Sequence, residues 1–496
     1  MNNILEMLEI SESKFPEKVA FKDPVTEITY RSLLNESRIV GSCLDIGPTI
    51  VFMNKSCKCI VIILGIIQAG GYYSVFDSKL PKSRLEKMAN ELQSKTIICD
   101  RTLLQEAIDI FGYNAKILIA DELTNSSENK DKLLKVRNSH LSSNALYCNF
   151  TSGSTGIPKG VLISHESVID FIPTFVKTMS LKNDDIFANQ APLDFDVSIK
   201  DIFSTIYLGA TCILIPREYF TNPTTLMDHI EDANVYIWAV SALVFLSTMK
   251  ALDYKIPAIR KIIYSGEPMP KKHLQRLFTK LPSTQFINVY GPTEVTCNYT
   301  YHFISKTDLE TELDIIGLPF TNKKVFLMDD SSTEITNPEI CGEICVSGIC
   351  LAIGYTNGST ESFGYRKTQQ NPIERYYKTG DLGFYSTDGL LHFKGRKDFQ
   401  IKRFGHRIEL AEIERTSENN ELIERSCAIY QNEKLYLFYE GDEEEKKLNE
   451  FLKEKLPSFM IPNYICKKVK LPINKNGKID RIILKQEILN NKFYDK

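Results

Sequence analysis

A chain of 496 residues is too long for one hydrophobic core, so the sequence predicts at least two domains. Its composition, with 43% hydrophobic and 25% charged residues, is typical of globular proteins. The net charge of -3 is almost neutral for this length, which argues against a general nucleic-acid binder or a basic protein of membrane surfaces.

The N-terminal residues lack the basic start and the apolar core of a secretory signal. The longest apolar run, at residues 59–71, is shorter than the roughly 20 residues that span a membrane, and we expect it to be a buried helix or strand. The 12 cysteines form no CxxC pair, and the 7 histidines show no metal-ligand spacing. We therefore expect a cytoplasmic protein with free thiols.

Short apolar stretches alternate with amphipathic ones over the first part of the chain. Strands are predicted at residues 51–53, 96–99, 236–240 and 261–264, and a helix at residues 80–92. This alternation indicates an α/β fold with two mixed or largely parallel sheets flanked by helices. Further strands at residues 324–328, 343–347 and 390–394 are separated by turn residues, which predicts an antiparallel, β-barrel-like subdomain.

The composition changes near Gly395, where charged residues become dense. We expect a large N-terminal domain at residues 1–396 and a small α+β domain at residues 397–496, which is within the usual size range of domains.

The stretch TSGSTGIPKG at residues 151–160 has the composition of a loop that binds phosphate. Its glycines permit sharp turns and close approach to a ligand, while its hydroxyl groups, backbone N–H groups and Lys159 supply donors and a positive charge. It is not the P-loop, because Pro158 and Gly160 flank the lysine. Composition alone leaves a mobile Gly/Ser loop as the alternative.

Three later stretches also allow both a chemical and an ordinary structural interpretation. NVYGPTE at residues 288–294 places an aromatic ring and a carboxylate where they could stack on a base and hold a metal, or it is a strand-ending turn. YKTGDL places Asp381 after a Gly turn, where a carboxylate can accept two ribose hydroxyls, or it is a common Gly-Asp turn. PINKNGKIDR places Lys478 after a tight Asn-Gly turn, or it is a solvated hairpin.

The order of these stretches resembles that of the adenylate-forming superfamily. TSGSTGIPKG, VYGPTE, YKTGDL, GRKDFQIKRFGHRIE and NGKIDR follow one another as in adenylation domains of nonribosomal peptide synthetases, acyl- and aryl-CoA ligases and firefly luciferase. The resemblance extends from ITYRSLL at Ile28 to Arg481. It implies that ATP activates a carboxylic acid as an acyl-adenylate with release of pyrophosphate, and that a thiol then attacks the adenylate.

The resemblance also implies roles for individual residues. The β- and γ-phosphates of ATP would contact Thr151, Ser152, Gly153, Ser154, Thr155 and Lys159. The adenine would be bound by Gly266, Glu267, Asn288, Tyr290 and Gly291, and the ribose by Asp381 and Arg396. The catalytic residues would be Thr293 at the α-phosphate, Glu294 as a ligand of Mg²⁺, and Lys478 between the substrate carboxylate and the α-phosphate. Asp398 would be the hinge about which the C-terminal domain rotates, bringing residues 405–407 towards the active site.

The segment DFDVSIKDIF resembles the FDxS segment of amino-acid-activating members, whose aspartate binds the substrate ammonium. That aspartate is Asp196 here, and a helix N-cap is its structural alternative. The specificity positions implied by the resemblance are Asp196, Val197, Lys200, Trp238, Ile263, Ser265, Val289, Cys297 and Asn298. Lys200 would need an anionic partner inside a pocket, which favours glutamate or aspartate as the substrate; the alternative is a solvated lysine.

Two other substrates remain open in the sequence. Trp238 also resembles the tryptophan of D-alanine–carrier protein ligases, although Ser265 replaces a cysteine of those enzymes, so D-alanine is the runner-up. An acyl- or aryl-CoA ligase is the second alternative, against which Asp196 counts. A nucleotide-binding module without activity, or a scaffold, would not need Lys478.

We expect ATP and Mg²⁺ as cofactors. The sequence contains neither a carrier-protein segment nor a condensation motif, so we expect the thiol to be the phosphopantetheine arm of a separate acyl or peptidyl carrier protein, as in nonribosomal peptide synthesis. No nucleic-acid or membrane partner is expected.

Overall fold

The computed structural model describes residues 1–112, 115–153, 158–310, 314–368, 373–474 and 479–490. The chain forms two compact units, of which the first contains Met1–Asp77, Leu92–Asn149 and Gly160–Lys397. The second contains Ser78–Glu91, Phe150–Lys159 and Asp398–Lys496. The functional division predicted at residues 396 and 397, with a mobile C-terminal domain, stays a prediction.

In chain order the α-helices are α1 (Leu5–Lys14), α2 (Tyr30–Cys43), α3 (Cys57–Gln68), α4 (Lys82–Leu92), α5 (Leu104–Phe111), α6 (Ala120–Thr124), α7 (Lys130–Ser139), α8 (His165–Thr178), α9 (Ser198–Leu208), α10 (Pro223–His229), α11 (Val240–Thr248), α12 (Ala251–Tyr254), α13 (Lys271–Lys280), α14 (Leu410–Glu418), α15 (Glu445–Lys455) and α16 (Arg481–Leu489). Short 3-10 helices lie at Arg101–Leu103, Arg217–Thr221, Thr293–Val295, Thr307–Leu309 and Ser458–Met460.

In chain order the strands are β1 (Val19–Lys22), β2 (Glu27–Thr29), β3 (Pro48–Phe52), β4 (Tyr72–Val75), β5 (Thr96–Cys99), β6 (Lys116–Ile119), β7 (Ala145–Thr151), β8 (Lys159–Ser164), β9 (Ile186–Asn189), β10 (Thr211–Leu214), β11 (Val235–Ala239), β12 (Lys261–Ser265), β13 (Gln285–Tyr290), β14 (Thr300–Phe303), β15 (Asp314–Pro319), β16 (Lys324–Met328), β17 (Glu334–Ile335), β18 (Gly342–Ser347), β19 (Gly354–Tyr355), β20 (Phe363–Arg366), β21 (Glu374–Tyr385), β22 (Leu391–Arg396), β23 (Gln400–Arg403), β24 (His406–Glu409), β25 (Ile423–Gln431), β26 (Lys434–Gly441) and β27 (Tyr464–Lys467).

The apolar run at residues 59–71 forms most of α3. Ser56 begins this helix by accepting a hydrogen bond from the backbone N–H of Cys59, which satisfies one of the free donors of the first turn. Apart from Lys58, the helix is buried on all sides, so it has no polar stripe. The sequence could not separate helix from strand here, because a fully apolar run lacks either periodicity.

The larger sheet of the first unit joins parallel and antiparallel strands. Its order is β17-β16-β18-β21-β22-β15-β14-β13-β12-β11-β9-β10-β1-β2, with β20 beside β21. Along this order, neighbouring strands are parallel through β1, β10, β9, β11, β12 and β13. Neighbouring strands are antiparallel through β13, β14, β15, β22, β21, β18 and β16. Over the described residues this sheet is open, so the barrel-like subdomain predicted from the sequence does not close into a barrel.

The second sheet of the first unit has the order β19-β8-β7-β4-β3-β5-β6. Its strands β3 to β7 are mutually parallel, and β19 is antiparallel to β8. The central strands β3 and β5 are short, apolar and mostly buried, as expected for parallel sheets covered by helices.

The parallel strands β11 and β12 separate two hydrophobic clusters. Ile237 and Ile263 are paired in register and lie in the larger cluster, which also contains residues of α9. Trp238 and Tyr264, the next pair, lie in a second cluster with residues of α10, α11 and α13. Successive residues of a strand point to opposite faces, so each strand contributes to both clusters.

The second unit contains the hairpin β23–β24 and the sheet β25-β26-β27. Residues of α14 and α15 pack in a cluster on one face of that sheet, and residues of α16 pack in a cluster on the other. Arg84 of α4 contacts the carboxylate of Glu412 in α14, and both side chains are buried. This ion pair ties the segment at residues 78–91 to the C-terminal residues within the unit.

Over the described residues, every helix is too short or too polar to cross a lipid bilayer.

Candidate active site

Three residues predicted to bind adenine and ribose are in contact in the larger sheet. Asp381 of β21 is paired in register with Arg396 of β22, and its Oδ1 accepts a hydrogen bond from the guanidinium. Its Oδ2 accepts a hydrogen bond of 2.8 Å from the hydroxyl of Tyr290, at the end of β13. An ionised carboxylate has about four acceptor positions, so these two donors leave it able to accept ribose hydroxyls.

The predicted turn before Asp381 is wrong, because the whole stretch YKTGDL lies in the long strand β21. Gly380 has a φ of +73°, a backbone conformation that glycine adopts without strain. The strand therefore deforms at Gly380 without ending. Asp381 remains on a rigid element, with its partner fixed by strand register.

The residues predicted around the adenine lie at the ends of two neighbouring parallel strands. Gly266 follows β12 with a φ of +104°, and Asn288 of β13 donates a hydrogen bond of 3.2 Å from its side chain to the carbonyl oxygen of Ile315. Glu267 and Gly291 follow directly on the same strand ends. The carboxyl ends of parallel strands share one edge of a sheet, which is the usual place of ligand sites in α/β proteins.

Glu294 and Thr293 lie in a 3-10 helix just after that edge. Glu294 is buried, and its Oε1 accepts a hydrogen bond of 2.7 Å from the hydroxyl of Tyr355. A carboxylate of this kind fits Mg²⁺, which binds proteins through one or two carboxylates and completes its shell with water and substrate phosphates. In the part of the chain that the structure describes, no group of three or more His, Cys, Asp or Glu side chains could hold a metal by itself.

Asp196 lies in the loop between β9 and α9. With the amide of Asn149 oriented so that its oxygen faces Asp196, this oxygen accepts a hydrogen bond of 2.9 Å from the backbone N–H of Asp196. The carbonyl oxygen of Asp196 accepts a hydrogen bond of 2.7 Å from the thiol of Cys297. The helix α9 begins at Ser198 with Val197 as its N-cap, and Val197 has no side-chain cap. The alternative interpretation of Asp196 as a helix cap is therefore wrong.

Lys200 is completely buried in the first turn of α9. Its ammonium donates a hydrogen bond of 2.7 Å to the side-chain oxygen of Asn298. Burial lowers the pKa of Lys200, while Cys297, Asp196 and the next residue, Asp201, oppose this effect. The solvated alternative for this lysine is therefore wrong, and the charge lies beside the residues predicted to select the substrate.

The predicted specificity positions divide into a group near α9, described first, and Trp238, which lies elsewhere. Ile263, Val289 and Cys297 are buried in the same hydrophobic cluster as residues of α9, and Ser265 is buried at the end of β12. Val197, the N-cap of α9, is half-buried. Together with the hydrogen bonds of Asp196, Lys200 and Asn298, these contacts bring the positions on α9 and the turn after β13 into one wall.

Trp238 lies apart from this wall, and its role in substrate selection stays a prediction. Its indole is fully buried in the second cluster, stacks on Tyr236 with ring centroids 4.8 Å apart, and donates a hydrogen bond of 2.8 Å to the carbonyl oxygen of Ala188. The reason is strand alternation: Ile237 faces the cluster that contains the wall, so the next residue faces away from it.

The predicted phosphate loop belongs to the second unit. Ser152 is buried, donates a hydrogen bond of 2.7 Å to the carbonyl oxygen of Arg407 and accepts one of 3.1 Å from the backbone N–H of Glu409. Thr151 ends β7 and Lys159 begins β8, with Gly153 between them. Ser154 and Thr155 lie outside the described residues.

The predicted catalytic lysine, Lys478, also lies outside the described residues. Beside it, Asp480 caps α16 by accepting hydrogen bonds from two backbone N–H groups of the first turn. Asp398, the predicted hinge, accepts a hydrogen bond of 3.1 Å from the backbone N–H of Gln400. The catalytic and hinge roles of these residues stay predictions.

Sequence reasoning missed several residues that shape the site. Lys323 donates hydrogen bonds to three backbone carbonyls of the turn after Glu294, and Tyr355 holds Glu294 itself. Asn149 bonds the backbone of Asp196. No local pattern marks these residues, because each acts on a part of the chain that is distant in sequence.

Comparison with known proteins identifies the family of this chain. The family described as AMP-binding enzyme matches residues 8–356. This chain belongs to the AMP-binding enzyme family. It is an adenylation enzyme of the ligase class, which uses ATP, and the resemblance found in the sequence is confirmed.

Two relatives cover nearly all of this AMP-binding enzyme. Zwittermicin A synthase ZmaJ of Bacillus cereus is 32% identical over 97% of this chain and 94% of its own length. A D-alanine–D-alanyl carrier protein ligase of Bacillus cytotoxicus is 29% identical over 98% of this chain and 99% of its own. Bacitracin synthase 1 of Bacillus licheniformis is 31% identical over 96% of this chain, but the chain spans only 9% of that relative's length.

Solved structures confirm the fold. The adenylation domain AlmE of Vibrio cholerae, in complex with glycyl-adenosine-5'-phosphate, matches with a TM-score of 0.84 at 18% identity, over 99% of this chain and 98% of that one. PA1221, a protein containing adenylation and carrier domains, matches with a TM-score of 0.83 at 22% identity, over 99% of this chain and 97% of that one.

Proposed function

We propose that this enzyme adenylates an amino acid with ATP and transfers the aminoacyl group to the phosphopantetheine thiol of a separate carrier protein. The observation that carries the proposal is the buried wall that joins Asp196, Lys200 and Asn298. The buried carboxylate of Asp196 is complementary to the α-ammonium of an amino acid, and the buried ammonium of Lys200 is complementary to a carboxylate on its side chain.

In this proposal the nucleotide is bound by the edge of the larger sheet. Asp381, oriented by Arg396 and Tyr290, accepts the ribose hydroxyls, and Asn288 binds the adenine. Glu294 would hold Mg²⁺, which supplies charge neutralisation at the phosphates when it is bound. These residues position the α-phosphate for attack, which is the main contribution a protein makes to phosphoryl transfer.

The substrate is oriented by charge at both ends of its backbone. Asp196 binds the α-ammonium, which directs the α-carboxylate towards the nucleotide. Lys478 contacts that carboxylate and the α-phosphate, and its positive charge stabilises the negative charge that develops at phosphorus. The thiol of the carrier then attacks the aminoacyl-adenylate carbonyl and AMP leaves.

We infer that the substrate side chain is acidic, as in glutamate or aspartate. Lys200 is fully buried, and its ammonium donates its described hydrogen bond to a neutral amide. A substrate carboxylate would supply the anion that a desolvated ammonium requires. D-alanine is the second candidate, favoured by the end-to-end similarity to a D-alanine–D-alanyl carrier protein ligase.

An ATP–pyrophosphate exchange assay over the proteinogenic amino acids and D-alanine tests these statements. We expect the highest exchange with glutamate or aspartate. Lys200→Met should lower kcat/KM for that amino acid by about 100-fold, because truncating one partner of a buried charge pair costs about 3 kcal/mol, while its neutral amide analogue should lose little. The control is Lys177→Met, which removes an exposed lysine of α8. Exchange with alanine or an aromatic amino acid, and none with glutamate or aspartate, would rule out the acidic substrate.

The acceptor thiol requires a second experiment. Enzyme, ATP and the preferred amino acid are incubated with either a phosphopantetheinylated carrier protein or CoA. The masses of the products are then measured by mass spectrometry. We expect the aminoacyl mass on the carrier and not on CoA. Loading of CoA alone would replace this proposal with a CoA ligase.

A further inference from the structure

We propose that Lys323 is a positioning residue for substrate selection. Its buried ammonium holds the turn that carries Asn298, and Asn298 in turn positions Lys200 towards the substrate. The consequence for substrate choice rests on the proposed amino-acid adenylation, whereas the fastening of the turn does not.

The ammonium of Lys323 uses its donors on a single turn of backbone. Its nitrogen lies 2.8 Å from the carbonyl oxygen of Val295, 3.4 Å from that of Thr296 and 2.6 Å from that of Asn298. The side chain is buried, and the nitrogen lies 4.4 Å from the centre of the Phe171 ring. A lysine ammonium has three protons to donate, so three carbonyls of one turn can take all of them.

The turn at residues 295–298 adopts a backbone conformation that needs support. Thr296 and Cys297 have φ angles of +57° and +68°, in the left-handed region that residues with a side chain avoid, β-branched threonine above all. Such residues persist only where the surroundings determine their conformation. The three hydrogen bonds from Lys323, and one of 2.7 Å from the Thr296 hydroxyl to the carbonyl oxygen of Cys350, provide that support.

The same turn holds the wall of the predicted pocket. Asn298 accepts hydrogen bonds from two buried ammonium groups, that of Lys323 at its backbone oxygen and that of Lys200 at its side-chain oxygen. Cys297 donates its thiol hydrogen to the carbonyl oxygen of Asp196. If the turn shifts, the groups that hold Lys200 and the Asp196 backbone shift with it.

The residue before the turn has its own supports. The carboxylate of Glu294 bonds to the hydroxyl of Tyr355, and its carbonyl oxygen accepts a hydrogen bond of 2.8 Å from the backbone N–H of Ala352. Relaxation of residues 295–298 should therefore disturb amino-acid binding more than nucleotide binding.

Exchange kinetics of the full chain test the consequence for selection. With Lys323→Met, which removes the donors but keeps the length, we expect KM for the preferred amino acid to rise about tenfold or more while KM for ATP stays within about twofold. Selectivity against the neutral amide analogue should fall by a similar factor, and Lys323→Arg should restore part of both. The control is Lys324→Met, because Lys324 is the next residue and pairs with Glu374 instead. Equal changes in both KM values, or unchanged selectivity, would overturn the role in selection.

A thiol-labelling experiment tests the fastening of the turn without any activity. Native protein is treated with N-ethylmaleimide, and labelling of the buried thiols of Cys297 and Cys212 is followed by peptide mass spectrometry. We expect Lys323→Met to speed the labelling of Cys297 about tenfold or more and to leave that of Cys212 unchanged. Should Lys323→Met fail to fold, so that both cysteines react, Lys323→Gln keeps one donor group and should give an intermediate rate at Cys297 alone.

The two experiments separate the two proposals. An enzyme that exchanges no amino acid refutes the proposed function, and the labelling rates still decide whether Lys323 holds the turn. An enzyme that exchanges an amino acid while Cys297 reacts equally in wild type and variants refutes the inference about Lys323.

Discussion

Replacement of Asp201 by asparagine should make the first unit more stable above neutral pH. Asp201 is fully buried in the first turn of α9, where its Oδ2 accepts a hydrogen bond of 2.9 Å from Asn189. Its other oxygen has no hydrogen-bond donor within the described residues. Burial raises the pKa of Asp201 to about 7, against the opposing effects of the Asn189 hydrogen bond and the ammonium groups of Lys200 and Lys55.

The sign of the effect follows from the proton that the folded state retains. An ordinary aspartate, with a pKa of 3.8, loses its proton in the unfolded chain at a much lower pH than Asp201 does in the folded protein. The stability due to this proton is therefore complete below about pH 4 and is lost as the pH rises through about 7. At about 1.4 kcal/mol for each pH unit, the loss approaches about 4 kcal/mol at pH 8.

Asparagine has the shape of the neutral acid and cannot ionise, so Asp201→Asn should escape this loss. Urea unfolding at several pH values can be followed by the fluorescence of Trp238, which is the only tryptophan and lies in the same unit. The difference in free energy of unfolding between variant and wild type should grow by about 3 kcal/mol from pH 5 to pH 8. The control Asp232→Asn, at an exposed aspartate, should show no such growth. A difference for Asp201→Asn that is independent of pH would refute the reasoning.

Two further predictions concern the nucleotide edge and the second unit. Asp381→Asn removes the charge that Arg396 and Tyr290 orient, so KM for ATP in the exchange assay should rise between about tenfold and 100-fold; a KM within about twofold of wild type would contradict the assignment. Glu412→Gln leaves the buried guanidinium of Arg84 without its counter-charge, which should destabilise the second unit by about 3 kcal/mol. Hydrogen exchange at the backbone of α14 should then be about 100-fold faster, and unchanged exchange would show that the ion pair contributes nothing.

The sequence predicted the elements that have a local pattern. The strands at β5, β12 and β16 lie where short apolar runs predicted them, because burial and strand length are encoded over four or five residues. The stretch YKTGDL was wrongly predicted to turn, because a Gly-Asp pair usually marks a turn. Here neighbouring strands on both sides keep it extended.

The predicted site was less complete than the predicted fold, because its contacts join distant parts of the chain. Motif order placed Tyr290 and Asp381 in one site, but their hydrogen bond, across 91 residues, had no signal in either motif. Lys323 was missed for a similar reason, since its acceptors are backbone carbonyls, which every residue has. The face of the sheet that Trp238 occupies was also hidden in the motif, because it depends on strand alternation against neighbouring strands.

The hydroxyl of Ser152 can serve only one acceptor at a time. A serine has a single hydroxyl hydrogen, and here it points to the carbonyl oxygen of Arg407, while the oxygen accepts the N–H of Glu409. A phosphate oxygen of ATP offers only lone pairs, so it can gain this hydrogen only when Arg407 gives it up. If Ser152 binds the nucleotide as its motif implies, a phosphate oxygen and the carbonyl oxygen of Arg407 compete for the one hydroxyl hydrogen. After pyrophosphate leaves, the hydroxyl hydrogen would be able to return to the carbonyl oxygen of Arg407.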